Sequence, residues 1–255
     1  MKKFILLLAL CLCGVSFLTN NTRAQEAEKP TLFLVMEEFV APADMAQFRK
    51  VQSHALEVFD QLELGFKFAT YQTNQNSFYW AMPLTSFASI DELFVKMTEN
   101  HKAFEEIGYS PEDEFRDLST ISQFVVRWNE ELSNPDKDAD NEEDDGFYEW
   151  TFMHLKSGHE KEATEATKKY LEFYQSIEEN FPWDIYEVVL GDKTPCWILE
   201  TSAKNEATLR QLESELNEKY GKDFQKLWQN FVQHVNTLET KKGWYLPGWS
   251  RFGDE

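Results

Sequence analysis

The sequence predicts an α+β fold in which one βαββαβ unit is written twice, the two sheets packing face to face as a barrel within a single chain. Three observations carry this expectation. The order of strand-like and helix-like stretches repeats across two segments, residues 30–133 and 146–250. Matching hairpin positions stand a constant 117 residues apart, so that Phe66 falls on Trp183, Phe68 on Ile185 and Trp80 on Trp197. Both faces of the first strand are apolar, with Phe33, Val35 and Phe39 on one and Leu32, Leu34 and Met36 on the other. A sheet left bare on an apolar face aggregates or associates, so the economical arrangement sets the two sheets against each other.

The elements follow in order. Residues 1–24 read as a secretory signal peptide: Lys2 and Lys3 precede an apolar run, and Thr22-Arg23-Ala24 offers small residues at −3 and −1 of a cut before Gln25. Cys11 and Cys13 follow leucines, not the small residue that lipid attachment needs. The chain is therefore expected to be exported, to a periplasm or beyond, and no later stretch approaches the roughly 20 apolar residues of a membrane span. In the first unit Leu32–Val40 is β-rich. Met45, Phe48, Val51, Ala55, Val58, Phe59 and Leu62 then recur at helical spacing behind Asp44 as a cap. A hairpin follows, residues 66–72 and Ser77–Leu84, joined by Thr73-Asn74-Gln75-Asn76. Ser89 and Glu92 open a second helix as a capping box, and a last strand ends near Leu132-Ser133.

An acidic stretch, residues 133–145, reads as a solvated linker. Its Asp136, Asp138 and Asp140 resemble the start of a calcium loop, but Asn141 stands where glycine is needed and Phe147 where a bidentate glutamate is needed. The second unit repeats the plan. Phe147–Leu155 is a strand; Ala163, Ala166, Tyr170, Phe173, Tyr174 and Ile177 mark a helix; residues 183–190 and 195–201 form the hairpin around Gly191-Asp192-Lys193-Thr194. A longer helix begins at Asn205, with Gly221 as a break, and the closing strand places Trp249-Ser250 on Leu132-Ser133.

The charge balance excludes some partners. There are 25 Lys+Arg against 45 Asp+Glu, a net −20. Loss of the leader removes Lys2, Lys3 and Arg23 and deepens the imbalance. A nucleic-acid binder needs a basic patch, so none is expected. Beyond the leader Cys196 is the sole cysteine, which leaves no internal disulfide and makes core packing the source of stability.

The βαββαβ order is the ferredoxin-like unit, and two of them in tandem resemble the dimeric α+β barrel superfamily. That group includes NIPSNAP-like and antibiotic-biosynthesis monooxygenase-like domains, and the haem-binding chlorite dismutase-like and dye-decolourising peroxidase folds. The resemblance spans nearly all of the chain after the leader and rests on element order. Local echoes are Val40-Ala41-Pro42-Ala43 and Leu155-Lys156-Ser157-Gly158 at strand-to-helix turns, and Phe147-Tyr148-Glu149 and Glu131-Leu132-Ser133 at strand ends. It implies a pocket more readily than a reaction. One chain holding both units suffices as a monomer, although the oligomeric state stays open.

No phosphate loop, GxGxxG, HExxH, CxxC or GxSxG motif is present. Polar residues within strands are the candidates instead. Glu37 and His154 share one face at offset-matched positions and are the candidate catalytic bases. Glu38, Glu149 and Thr151 share the other face and, with Trp80 and Trp197, are the candidate ligand-binding residues. His234, on the stripe Leu227, Phe231, Leu238, is the candidate haem ligand, though no cofactor or metal is expected; His101 reads as a boundary residue, and His154 with His159 as a weak metal pair. Cys196 reads as a small buried hydrophobe. The expected function is the binding of a small, partly apolar ligand. The alternatives are a cofactor-free monooxygenase or isomerase, a haem protein through His234, and a structural or partner-binding module using the aromatic C-terminus, residues 244–252.

Overall fold

The computed structural model describes residues 31–135, 146–177, 179–192 and 194–251. The expected leader and the calcium-like aspartates of the linker lie outside the described residues. In chain order the elements are β1 (Leu32–Val40), α1 (Met45–Gln61), β2 (Ala69–Thr73), β3 (Ser77–Leu84), α2 (Ser89–Glu106), the single turn α3 (Pro111–Glu114) and β4 (Ser119–Trp128). Then come β5 (Phe147–Leu155), α4 (Glu160–Ser176), β6 (Asp184–Leu190), β7 (Cys196–Ala203), α5 (Glu206–Val232) and β8 (Val235–Tyr245). The strands form one closed antiparallel barrel in the order β1-β3-β2-β8-β5-β7-β6-β4.

Closure differs from two sheets laid face to face. Each set of four strands has two edges, and an unpaired edge leaves a row of N–H and C=O groups unsatisfied. The edges pair with each other: Tyr71 of β2 stands opposite Tyr245 of β8, and Val126 of β4 opposite Val188 of β6. The offset read from the sequence reappears in the pairing. Leu32 faces Leu84 and Glu149 faces Thr201; Ala69 faces Ala81 and Tyr186 faces Ile198.

Strand alternation then sorts side chains into two layers. Phe33, Val35, Tyr71, Tyr79, Phe124, Val126, Trp150, Phe152, Tyr186, Val188, Cys196 and Ile198 gather inside the barrel. On the outside, Val40, Phe68, Phe78 and Trp80 pack with Phe48 and Leu56 of α1. Met153, Leu155, Ile185 and Trp197 pack with Ala163, Ala166 and Tyr174 of α4 and Leu209, Leu216 and Phe231 of α5. Each large apolar side chain so buried contributes about 1.5–3 kcal/mol. Gly243 of β8 is required by this packing, because a Cβ there would run into the ring of Trp150.

Local details depart from the sequence reading. β2 begins at Ala69, and Phe68 makes only an isolated bridge to Arg251. Ala88 occupies the N-cap of α2, so no capping box forms; Ser89 Oγ instead donates to the Ser86 carbonyl at 2.6 Å. Asp44 makes no side-chain cap bond, whereas Asn205 accepts from the Thr208 amide at 3.0 Å. α5 runs unbroken through Gly221. A helical glycine costs about 1 kcal/mol, and the burial of Leu209, Leu216 and Phe231 along the same helix exceeds that.

The two chain segments after β4 and β8 cross to the opposite half. After β4, the Ser133 Oγ accepts from the Ile185 amide and the Leu132 carbonyl accepts from Trp183 Nε1. After β8, Ser250 Oγ accepts from the Thr70 amide at 2.9 Å, and Trp249 stacks on Trp80 with rings 9° apart. Phe252 lies outside the described residues; of the described C-terminal aromatics, Tyr245 and Trp249 are largely used inside this chain and Trp244 is the exposed one, at 42%.

Candidate functional site

An eight-stranded barrel is just wide enough to be filled by side chains or to hold one small ligand. Here it is filled incompletely. A cavity of about 180 Å³ lies inside, lined by residues of seven strands: Phe33, Val35, Ala69, Tyr71, Tyr79, Ala81, Phe124, Val126, Trp150, Phe152, Tyr186, Ile198 and Glu200. Among the described residues its one charged lining residue is Glu200. Trp150 Nε1 donates to Glu200 Oε2 at 2.5 Å. Tyr71 sits edge-on to Trp150 at 5.4 Å and to Tyr148 at 4.9 Å, and Tyr79 edge-on to Trp150 at 5.3 Å. Burial, and then the Glu200 charge, push the Tyr71 and Tyr186 phenols well above their ordinary value, so both stay protonated.

A second polar group occupies the same interior. Lys241 Nζ donates to Glu37 Oε1 at 2.5 Å, with the lysine side chain 6% and the glutamate 14% exposed. The same carboxylate oxygen accepts from Tyr79 Oη at 3.3 Å and Ser77 Oγ at 3.4 Å. The ammonium also lies 5.5 Å from the Tyr79 ring centre and 5.3 Å from that of Phe152. Burial, followed by Glu37, raises the Tyr79 phenol far above its usual range, which keeps it a donor.

A separate cavity of about 230 Å³ lies between α4, α5 and the outer face of β5–β7. Met153, Tyr170, Tyr174, Trp183, Leu199 and Trp228 are among its walls, and among the described residues no ionisable acid or base other than tyrosine lines it.

The structure scatters the residues singled out from the sequence. Glu37 points into the barrel but is held by Lys241, and it does not line the cavity. His154, also on the inward parity, pairs with Cys196 and Thr237 and is absent from the lining. The five ligand-binding candidates face the helices. Glu38 accepts from Trp80 Nε1 at 3.0 Å and Ser119 Oγ at 2.6 Å. Glu149 pairs with Arg210 of α5, and Thr151 contacts Thr240. Trp80 packs under Trp249, and Trp197 is buried beneath the second pair of helices. Cys196 is buried inside the barrel. Glu200, Lys241 and Trp150 were not singled out, although parity with Ile198 and Phe152 places Glu200 and Trp150 inside; Tyr71 and Tyr186, two of the hairpin aromatics that the sequence offers as ligand walls, do line the cavity.

Glu38 has a measurable consequence. Burial raises its carboxyl above the ordinary 4.5, against the hydrogen bonds from Ser119 and Trp80 that lower it. The folded state therefore holds this proton more tightly than the unfolded chain. That contribution to stability is present at low pH and is lost as pH rises through the raised folded value. Glu38→Gln keeps an acceptor for Trp80, and the Ser119 hydroxyl can turn to accept from the new amide. The variant is expected to lose less stability than the parent between about pH 4 and about pH 7 in urea titrations; identical slopes would contradict this.

A haem site needs an inward ligand such as an imidazole, and neither cavity is lined by a histidine. His234 instead places its Nδ1 3.1 Å from His159 Nδ1 at the junction of α5 and β8. His101 is half exposed beside Glu105 and Glu112. None of these histidines is placed to hold haem in either cavity. Among the described residues no three His, Cys, Asp or Glu side chains are grouped to hold a metal ion, and no helix is long and apolar enough to cross a membrane.

No family model matches the sequence. No curated protein matches it either. Solved structures do match. An anthrone oxidase-like protein gives a TM-score of 0.57 at 8% identity, covering 86% of this chain and 92% of its own. A candidate monooxygenase from Fusobacterium nucleatum gives 0.52 at 12% identity, covering 85% and 93%. A candidate chlorite dismutase gives 0.50 at 8% identity, covering 87% and 97%. The likeness shows the fold, an α+β protein with a closed eight-stranded antiparallel barrel. These neighbours are α+β barrel-type proteins, and they do not single out the NIPSNAP-like or the antibiotic-biosynthesis monooxygenase-like branch.

Proposed function

We propose that this is an exported binding protein built from two tandem ferredoxin-like repeats, which holds a small, partly apolar molecule inside its barrel. The observation that carries the reading is the incompletely filled interior, with apolar and aromatic walls and one carboxylate. Such a composition, mostly apolar with a few placed polar groups, is what small-molecule sites share. The matched register of the two halves supports duplication. Because both halves lie in one chain, the barrel closes without a second copy, which supports a monomer. Export rests on the leader-like residues 1–24. An enzymatic reading, suggested by neighbours named as a monooxygenase and an oxidase-like protein, would draw its base from Glu37 or His154, and neither lines the cavity.

The cavity volume equals the liquid share of about six water molecules, which sets the size of probe. A panel of uncharged and charged fragments of that size is screened by thermal shift. A ligand at about 100 times its Kd adds about 2.7 kcal/mol, a rise of several degrees for a chain of this length. Ala81→Leu, which fills the barrel cavity, is expected to abolish the shift for a fragment that binds the parent. Leu199→Phe, in the cavity between helices and sheet, is expected to leave it unchanged. The reverse pattern would move the site out of the barrel and overturn the reading.

A further inference from the structure

We infer that the occupant of the barrel cavity is an uncharged, largely apolar molecule bearing a carbonyl group, whose oxygen accepts hydrogen bonds from the hydroxyls of Tyr71 and Tyr186. The inference rests on the reading that the barrel is the binding site, and it names the chemistry of what is bound there.

The first argument is which polar groups of the wall are already engaged. Tyr79 Oη donates to Glu37 Oε1 at 3.3 Å, and Trp150 Nε1 donates to Glu200 Oε2. Tyr71 and Tyr186 line the same cavity, and what surrounds them is rings. Tyr71 lies 4.9 Å from Tyr148, 5.4 Å from Trp150 and 5.6 Å from Tyr245, and Tyr186 lies 6.1 Å from Phe33. Among the described residues neither hydroxyl has a hydrogen-bond partner. A donor left unpaired in an interior is costly, and a few such groups on apolar walls are what orient a small molecule in its pocket.

The second argument is placement. In the ring β1-β3-β2-β8-β5-β7-β6-β4, Tyr71 of β2 and Tyr186 of β6 stand four strands apart, on opposite sides of the barrel. Burial first, then Glu200 and Asp184, then Tyr71 raise the Tyr186 phenol. The last of these requires the two hydroxyls to approach each other across the interior.

The third argument is polarity. Burial keeps both phenols protonated. A phenol donates well and accepts poorly, because its oxygen lone pair is shared with the ring. The complement of two converging donors is one acceptor with two lone pairs, which a carbonyl oxygen supplies. A carboxylate also accepts twice, but a full charge in an apolar interior costs more than neutral hydroxyls return, and the net −20 of the chain repels it. Phe33, Val35, Phe124, Val126, Phe152 and Ile198 face the rest of the occupant, so its body is apolar. A dry cavity of about 150 Å³ takes benzene, so the volume here, about 180 Å³, suits a six-membered ring carrying one carbonyl.

The test uses the purified protein, isothermal titration and two probes of equal shape: cyclohexanone, and methylenecyclohexane, in which carbon replaces the carbonyl oxygen. Tyr71→Phe and Tyr186→Phe keep the rings and remove the donors. Each is expected to weaken cyclohexanone by about three- to tenfold, the worth of one hydrogen bond, and to leave methylenecyclohexane within about twofold. The carbonyl stretching band of bound cyclohexanone is expected to move to higher frequency in each variant, a shift that altered packing alone does not produce. Either variant serves if the other does not fold. Both probes weakened alike, or neither weakened, with both lost in Ala81→Leu, would overturn the carbonyl inference and leave the barrel as the site. Other uncharged fragments that bind in the barrel while cyclohexanone does not would overturn it in the same way. Cyclohexanone that is lost in Leu199→Phe and kept in Ala81→Leu, or a panel in which no fragment is lost in Ala81→Leu, would overturn both this inference and the reading beneath it.

Discussion

Lys241→Met is expected to destabilise the protein by about 3–5 kcal/mol, the cost of breaking a buried ion pair from one side. Methionine keeps the length of the stem and its contacts with Tyr79 and Phe152 but removes the ammonium. Glu37, 14% exposed, then retains the Tyr79 and Ser77 hydroxyls without the cation that offsets its desolvation. The loss belongs to the stranded charge, not to the missing contact, and this is separable. Adding Glu37→Gln keeps an acceptor for Tyr79 and Ser77 and removes the charge. The double variant is expected to recover most of the loss, since replacing both members of a buried pair is often close to neutral. Urea midpoints at unchanged m-value report both figures. A single-variant loss under about 1 kcal/mol would show that Glu37 is solvated and that this part of the barrel is wet.

Trp150→Ala is the second large effect, at about 3–5 kcal/mol. The indole is 6% exposed and sits at the centre of the inner layer. It stacks on Tyr148 at 5.9 Å, meets Tyr71 and Tyr79 edge-on, and lies over Gly243. Truncation enlarges the cavity and strips Glu200 of its indole donor at once. Trp150→Phe separates the two contributions, because it keeps a ring and loses the N–H; its cost is expected to be about 1–3 kcal/mol, that of a buried acceptor losing one partner. The Gly243→Ala change, which collides with the parent indole, is expected to cost less in the Trp150→Ala background than alone. Such non-additivity is the signature of residues in contact. Strict additivity would contradict the packing of Trp150 against that glycine.

Much of this fold was legible because it is written in alternation. Glu37 and Glu38 are adjacent, and parity alone sends one into the barrel and the other under α1, as the structure has it. The element order and the hairpin register were likewise readable, because side-chain period and turn residues fix them locally. The site was less legible for a physical reason. Lys241 lies in a polar stretch, Thr240-Lys241-Lys242, that reads as solvated; its partner Glu37 is 204 residues away and meets it only once β2 and β8 close the ring. Trp80, Trp150 and Trp197 are equivalent by residue type. Which of them faces the cavity depends on which layer each strand parity meets, and the choice of Trp80 and Trp197 picked the helix-facing pair. Glu200 was within reach: it is two residues from Ile198 and three from Trp197, so the parity that buries Trp197 under the helices sends Glu200 inward.

The chain has eight tryptophans, which makes one spectrum decisive. In a ¹H–¹⁵N correlation spectrum of the purified protein, each indole N–H gives a separate signal, and the Trp150 signal is assigned by its absence in Trp150→Phe. Titration with a fragment that raises the melting temperature is predicted to move the Trp150 signal first, because that N–H is hydrogen-bonded to the carboxylate at the cavity wall. If instead Trp183 and Trp228 respond while Trp150 stays fixed, the ligand sits between α4, α5 and the sheet, and the barrel is a core and not a binding site.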